Sequence, residues 1–324
     1  MSELPKDYKE HLLSFYDEAI VDDIISSFVV KPTTFRINTI KAPEGEVLTH
    51  LRNDGFELQP YDPVPSAYIL LNKTKRELTS HELHTCGKIY IQSLASMMPV
   101  LALNPLPGEI ILDLTAAPGS KTSQIAALMK REGELVANDN NKSRFFRLKR
   151  NLELQGCFSE NDNFLKLRLE HGVKLCREYK SYFDKILLDA PCSAESRFII
   201  GNEKTFGYWK KKKMAENAKR QRTLLLAALG SLKPGGTLIY STCTISPEEN
   251  EGVISWVLGK SDLQLAIEPV LNLESKVDRL RPVTRLKDKD LSYQVNNSFR
   301  IKPNQEIESF FIAKIRNLAT SEVS

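Results

Sequence analysis

Ile110-Ile-Leu-Asp-Leu-Thr-Ala-Ala-Pro-Gly-Ser-Lys-Thr122 decides the fold. Its first five residues form an apolar run of buried-strand length that stops at a string of small residues. A helix reaching Met129 follows, so the unit is strand, tight loop, helix. Small side chains let the loop backbone approach a ligand, and a helix begun near Gly119 turns free N–H groups toward it. The loop is not a phosphate cradle. A P-loop needs GxxxxGK[ST], but Thr115 stands where the first glycine belongs and Ser120 precedes Lys121. The dinucleotide fingerprint GxGxxG is also absent.

Downstream, strands and helices alternate. The patterning predicts strands at 134–138, 163–169, 185–188 and 237–241, and helices at 143–155, 214–232 and 248–258. A late strand covers 309–315. Alternation of this kind implies a mostly parallel sheet wrapped by helices on both faces, an α/β fold. Such sheets bind ligands beyond the carboxyl ends of their strands. Asp113, Asp139, Asp189 and Cys243 all fall at or just past predicted strand ends. Asp139 suits a pair of ribose hydroxyls. A ribose acceptor beside a loop without a pyrophosphate cradle fits a nucleoside-type cofactor such as S-adenosylmethionine.

Upstream, residues 1–85 read as a small α+β unit. Apolar spacing predicts a helix over 8–28, and 33–39 alternates as a strand does. A helix over 44–53 ends at Gly55, and short strands are expected near 56–58 and 68–71. Apolar residues from Leu94 to Leu101 predict a helix leading into the main domain, 86–318, and 319–324 reads as a flexible tail.

Composition narrows the classes. With 41% hydrophobic and 27% charged residues among 324, the chain is globular. A net charge of +4, from 45 basic and 41 acidic residues, requires any nucleic-acid contact to be a local patch. Five cysteines without a CxxC spacing suggest a reduced, cytoplasmic protein. His81 and His84 are spaced HxxH without a nearby Cys or acidic cluster, so no metal is expected. No apolar run approaches the roughly 20 residues that span a bilayer, so no membrane partner is expected either. Neither leader nor transit peptide is expected, and a monomer is assumed.

Two cysteine motifs carry the chemistry. Asp189-Ala-Pro-Cys-Ser193 follows the strand at 185–188, and Ser241-Thr-Cys-Thr-Ile-Ser-Pro-Glu-Glu-Asn-Glu251 follows the next one. If those strands are neighbours, Cys192 and Cys243 face one pocket. Two thiols with no disulfide context, no metal spacing and a carboxylate nearby point to covalent chemistry.

These motifs resemble those of the RsmB/Nop/Sun family of RNA 5-methylcytosine methyltransferases. Lys121 lies in a variant of its AAPGGKT loop, with Ser120 replacing a glycine. The resemblance extends to 31–39, 87–93 and 308–313, and so spans nearly the whole chain. It implies a Rossmann-like class I methyltransferase sheet behind an N-terminal RNA-docking domain. It implies S-adenosylmethionine as cofactor, held by Thr115, Ala116, Ala117, Pro118, Gly119, Ser120, Lys121, Asp139 and Asp189, with Lys121 alternatively facing the substrate. By the same resemblance Cys243 attacks cytosine C6, Cys192 assists release, and Asp189 holds the cytosine edge.

One position departs from the family. Where it places Asp-Gly after the third strand to hold the adenine, this chain has His171-Gly172 after Glu170. For RNA, Lys210 to Lys213 with Lys219, Arg220 and Arg222 form the densest basic run, and Tyr208 or Trp209 could stack on an unpaired base. A single-stranded or flipped-out cytosine is expected, in ribosomal RNA before transfer RNA. Methylation of a non-RNA substrate and a noncatalytic RNA-binding or assembly factor are the other readings.

Overall fold

The computed structural model describes residues 4–158 and 163–319, so most of the expected tail lies outside the described residues. Four antiparallel strands build a small sheet: β1 (Thr34–Ile37), β2 (Leu58–Pro60), β3 (Ala67–Leu70) and β4 (Ile89–Ile91), in the order β2-β3-β1-β4. The helix Glu44–Asn53 buries Val47 and Leu51 in the same small core as Phe35, Ile37 and Phe56. The expected division at residue 85 cuts through this sheet, because β4 pairs Ile91 with Phe35 of β1. The predicted helix over 8–28 is two helices, Lys6–Leu13 and Glu18–Ser26, with Asp17 extended between them. Their apolar faces pack with Phe198, Phe206, Trp209 and Met214, not with the small sheet. Burial against a distant partner, invisible in local spacing, decides that placement.

His81 has acidic company after all. Its Nε2 lies 2.8 Å from Asp54 Oδ2, and His50 Nε2 lies 3.4 Å from the same oxygen. Because Leu83 N donates to His81 Nδ1 at 3.2 Å, the ring donates from Nε2 to Asp54 and ties two helices together.

The main sheet comprises β5 (Ile110–Asp113), β6 (Glu134–Asn138), β7 (Leu165–Arg168), β8 (Phe183–Asp189), β9 (Leu232–Thr242), β10 (Leu265–Glu268), β11 (Arg279–Leu280), β12 (Phe299–Ile301) and β13 (Phe311–Asn317). Its order is β11-β12-β13-β9-β8-β5-β6-β7, with β10 on β13. The strands from β5 to β9 pair in parallel, and those beyond are antiparallel. Side chains alternate between two cores: Ile186 and Leu188 enter one, and Leu187 enters the other. The chain steps outward from β5 to β7, then returns across β5 to β8. That reversal opens a crevice above β5 and β8, where such sheets hold ligands. The helices Ser120–Leu128, Lys142–Leu154 and Lys211–Ser231 border this end of the sheet.

Candidate active site

The crevice has two lobes. One, of about 620 Å³, is lined by Lys121, Asp189, Cys192, Arg197, Cys243 and Phe310 among others. The other, of about 530 Å³, is lined by Asp139, His171, Gly172, Lys219 and Arg220. Thr115, Arg144 and Pro191 line both, so the lobes adjoin.

The loop after β5 is held from all sides. Thr115 Oγ1 donates to Asp189 O at 2.8 Å, and Ala116 N donates to Asn138 O at 2.7 Å. Gly119 takes φ +102° before the helix Ser120–Leu128, a backbone setting that side chains resist. A Cβ there would also come within 3.1 Å of Leu148. Arg36 of β1, itself buried, donates to Gln92 Oε1 at 3.0 Å, to Ser120 O at 3.1 Å and to Ser123 Oγ. The small sheet is thereby fastened to the loop.

Asp139 is buried in the second lobe, with Oδ1 accepting Asn141 N at 2.9 Å and Oδ2 lying 3.2 Å from Arg144 Nη2. After β7, Glu170 is engaged elsewhere: it accepts His171 N at 2.8 Å and Lys174 Nζ at 2.5 Å. His171 lines the lobe and Glu170 does not. Asp113 is buried beneath the first lobe, where Oδ2 accepts Thr122 Oγ1 at 2.7 Å and Oδ1 has no partner among the described residues. Burial pushes its carboxyl up to about 7.

β8 and β9 are parallel neighbours, so the two cysteine loops emerge side by side. Cys192 Sγ lies 3.5 Å from Cys243 Sγ. Cys243 is held below the ordinary thiol value, first by the hydrogen bond from Cys192 and, against its burial, by the charges of Arg197 and Lys121. Cys192 is pushed well up by the same contact and by burial. The pair therefore divides into a thiolate-prone Cys243 and a thiol at Cys192 that donates to it. Asp189 Oδ2 lies 2.8 Å from Lys121 Nζ, and Oδ1 accepts Ser241 Oγ at 2.9 Å. Lys121 also donates to Ser96 Oγ at 2.7 Å, so it faces the lobe of the thiols rather than that of Asp139.

Two buried carboxylates, each on one cysteine loop, grip the other loop. Glu195 accepts Ile245 N and Ser246 N, both at 2.9 Å, and Ser246 Oγ at 2.6 Å. Glu249 accepts Ser193 N at 3.2 Å and Gln221 Nε2 at 2.7 Å. Ser193 Oγ and Thr244 Oγ1, 2.8 Å apart, and Ser196 N donating to Cys243 O at 3.2 Å complete the clasp.

A family profile described as 16S rRNA methyltransferase RsmB/F matches residues 100–316. A tRNA (cytosine(49)-C(5))-methyltransferase of Pyrococcus abyssi is 34% identical over 96% of this chain and 99% of its own. The chain belongs to the RsmB/F methyltransferase family. Ribosomal RNA small subunit methyltransferase F of Vibrio vulnificus is 33% identical over 98% of this chain and 65% of its own length. The crystal structure of a methyltransferase homologue from Pyrococcus horikoshii superposes with a TM-score of 0.76 at 30% identity, over 97% of this chain and all of that one. The expected class I methyltransferase fold is present.

As an RsmB/F-family methyltransferase the chain uses S-adenosylmethionine, and its residues fit that molecule. Asp139 offers a buried carboxylate at the end of β6 for ribose hydroxyls. The Oδ1 of Asp113 and the amides following Gly119 add further polar groups near the loop. Beyond β7, His171 lines the second lobe, while Glu170 is bonded to Lys174. Of the expected RNA contacts, Trp209 is withdrawn: it is buried, and its Nε1 donates to Glu195 at 2.7 Å. Tyr208 stays half exposed, while Lys219 and Arg220 line the second lobe. Arg197, Glu195 and Glu249 escaped the sequence reading. Glu195 reads as a turn acid until Ile245 and Ser246 are brought to it; the PEENE run was the one signal for Glu249.

Proposed function

We propose that this RsmB/F-family chain methylates carbon 5 of cytosine in RNA through a covalent bond to Cys243. The observation that carries the reading is the pair of thiols 3.5 Å apart at two adjacent strand ends, one shifted toward thiolate and the other toward thiol. S-adenosylmethionine supplies an electrophilic methyl group when bound, and the chain does the rest. Cys243 Sγ adds to C6 of the ring, which loads electron density onto C5. Asp189 and Lys121, paired in the same lobe, take the cytosine edge: the carboxylate accepts from the N4 amino group, and the ammonium steadies the negative charge that develops on N3 and O2. Once C5 carries the methyl group, a water beside Cys192 takes the C5 proton, the C–H electron pair re-forms the C5=C6 bond, and the C6–S electron pair leaves on Cys243. The Cys192 S–H, aimed at Cys243, steadies the departing thiolate.

The target is an unpaired or flipped-out base, because both ring carbons must be reached. Residues 34–91, whose Tyr90 and Ile91 line the lobe of the thiols, serve as the RNA-docking module. Both thiols must stay reduced, which suits the cytoplasm, and one chain supplies the whole lobe, so the enzyme works as a monomer. Ribosomal RNA is one candidate substrate. Transfer RNA stands beside it, favoured by the match along 99% of the Pyrococcus abyssi relative.

Nucleoside mass spectrometry after incubation with transfer RNA or ribosomal subunits tests the reading. Wild type should form 5-methylcytidine in one of them, and Cys243→Ala should form none. Cys192→Ala should accumulate a protein–RNA adduct that resists denaturing gels. Normal methylation by Cys243→Ala would sink the mechanism.

A further inference from the structure

The helix Lys142–Leu154 is absent from the chemistry above, yet it borders the lobe of the thiols through Arg144 and Arg147. Its inner side is spoken for. Leu148 and Leu152 are buried against Gly119, Arg144 donates to Ala117 O at 2.7 Å, and Asn151 donates to Pro118 O at 2.8 Å. Its outer side is not. Phe146 is 57% exposed, and among the described residues no other phenylalanine is exposed to that degree. Arg150 is one turn further along the same face, and Arg147 lies between them and the lobe. Among the described residues no carboxylate pairs with Arg147 or Arg150.

Charge is concentrated here. Lys142, Arg144, Arg147, Lys149 and Arg150 stand against Glu153 alone, five basic and one acidic residue, a net +4 in 13 residues. The whole chain of 324 residues also carries a net +4, so the rest of the molecule sums to neutrality. An exposed aromatic ring flanked by guanidinium groups with no carboxylate partner among the described residues matches single-stranded RNA: phosphates for the charges, a base for the ring. An acidic peptide would use the charges and leave the ring idle.

We propose that the outer face of this helix carries the RNA strand to the active site, with Arg147 and Arg150 on successive phosphates and Phe146 stacked on a base next to the target cytosine. The proposal rests on the RNA reading above and deepens it. The Lys210 to Lys213 run is then a secondary contact.

Fluorescence anisotropy with a labelled single-stranded RNA of about ten nucleotides, titrated at several salt concentrations, tests it. Arg147→Gln with Arg150→Gln should weaken binding and flatten the log–log salt slope by about 1.4, at roughly 0.7 per lost phosphate contact. Phe146→Ala should weaken binding about tenfold, with the salt slope unchanged. Each variant should bind S-adenosylhomocysteine as wild type does, which shows that the fold survives. Unchanged RNA affinity and slope in these variants overturns the proposal, as does a slope that falls only in Lys211→Gln with Lys212→Gln. Equal competition by a polyglutamate peptide, with no effect of Phe146→Ala, also overturns it. If wild type binds no RNA at all, the RNA reading itself fails.

Discussion

Arg197 shows how one side chain can set the reactivity of another. The turn Glu195–Arg197 follows Ala194 in the left-handed region, and Ser196 N is bonded to the Cys243 carbonyl, so Arg197 is delivered to the lobe of the thiols. Cys243 is the largest influence on Arg197 and raises its value, while Arg197 lowers that of Cys243. A cation beside a half-buried thiolate favours ionisation because little water screens it. Arg197→Gln should therefore move the pH dependence of Cys243 alkylation by iodoacetamide upward, with a several-fold slower rate near neutral pH. Arg197→Lys should restore most of the rate. Peptide mapping separates Cys243 from Cys192, and an unmoved profile in Arg197→Gln would remove Arg197 from the activation of the thiol. At this scale the sequence showed the two cysteines and Asp189, because each sits at the end of an apolar run. Arg197 was illegible: only the left-handed turn at Ala194 aims it, and a single alanine does not announce such a turn.

Between elements, the clasp of Glu195 and Glu249 joins the loops after β8 and β9. Parallel pairing sets those strand ends side by side, but backbone pairing stops before the thiols. The swapped carboxylates continue the register to Cys192 and Cys243. Burial pushes the Glu249 carboxyl from 4.5 to about 8, although bonds from Ser193 and Gln221 pull the other way. Between those two values the folded chain holds a proton that the unfolded chain has released, so stability falls as pH rises through this window and levels off above it. Glu249→Gln, which keeps the shape of the protonated form, should flatten the decline of the urea midpoint between pH 5 and pH 8. A slope identical to wild type would assign the decline to another group, such as Asp113. The alternation of strands and helices implied a mostly parallel sheet but left the pairing of β8 with β9 as a condition. It could not predict which acids turn inward, because spacing alone does not separate Glu248, Glu249 and Glu251, and only the fold buries Glu249 and Glu251.

Across the whole molecule, polar ties reach places that hydrophobic periodicity cannot. Arg36 fastens the small sheet to the loop after β5, and the first two helices close over the aromatic cluster beside the cysteine loops. The strands β10, β11 and β12 went unpredicted because they are short, and because β12 carries Arg300, which reads as solvent-facing. In the fold Arg300 is 1% exposed. Its Nε donates to Glu251 Oε1 at 2.5 Å, Nη2 donates to Glu251 Oε2, and Nη1 donates to Ile245 O at 2.7 Å. One guanidinium thus joins β12, the helix Glu251–Leu258 and the loop of Cys243. Removing one partner of a buried pair strands the other charge, at a cost of roughly 3–5 kcal/mol. Arg300→Met should lower stability by about that amount, seen in urea unfolding followed by tryptophan fluorescence. Trp256 lies in the helix that carries Glu251, and Trp209 contacts Glu195, so the two tryptophans report on this region. The double variant Arg300→Met with Glu251→Leu leaves no stranded charge and should recover much of the loss. If the double variant is as unstable as the single one, the damage comes from lost packing and the freed Ile245 carbonyl, not from an unpaired carboxylate.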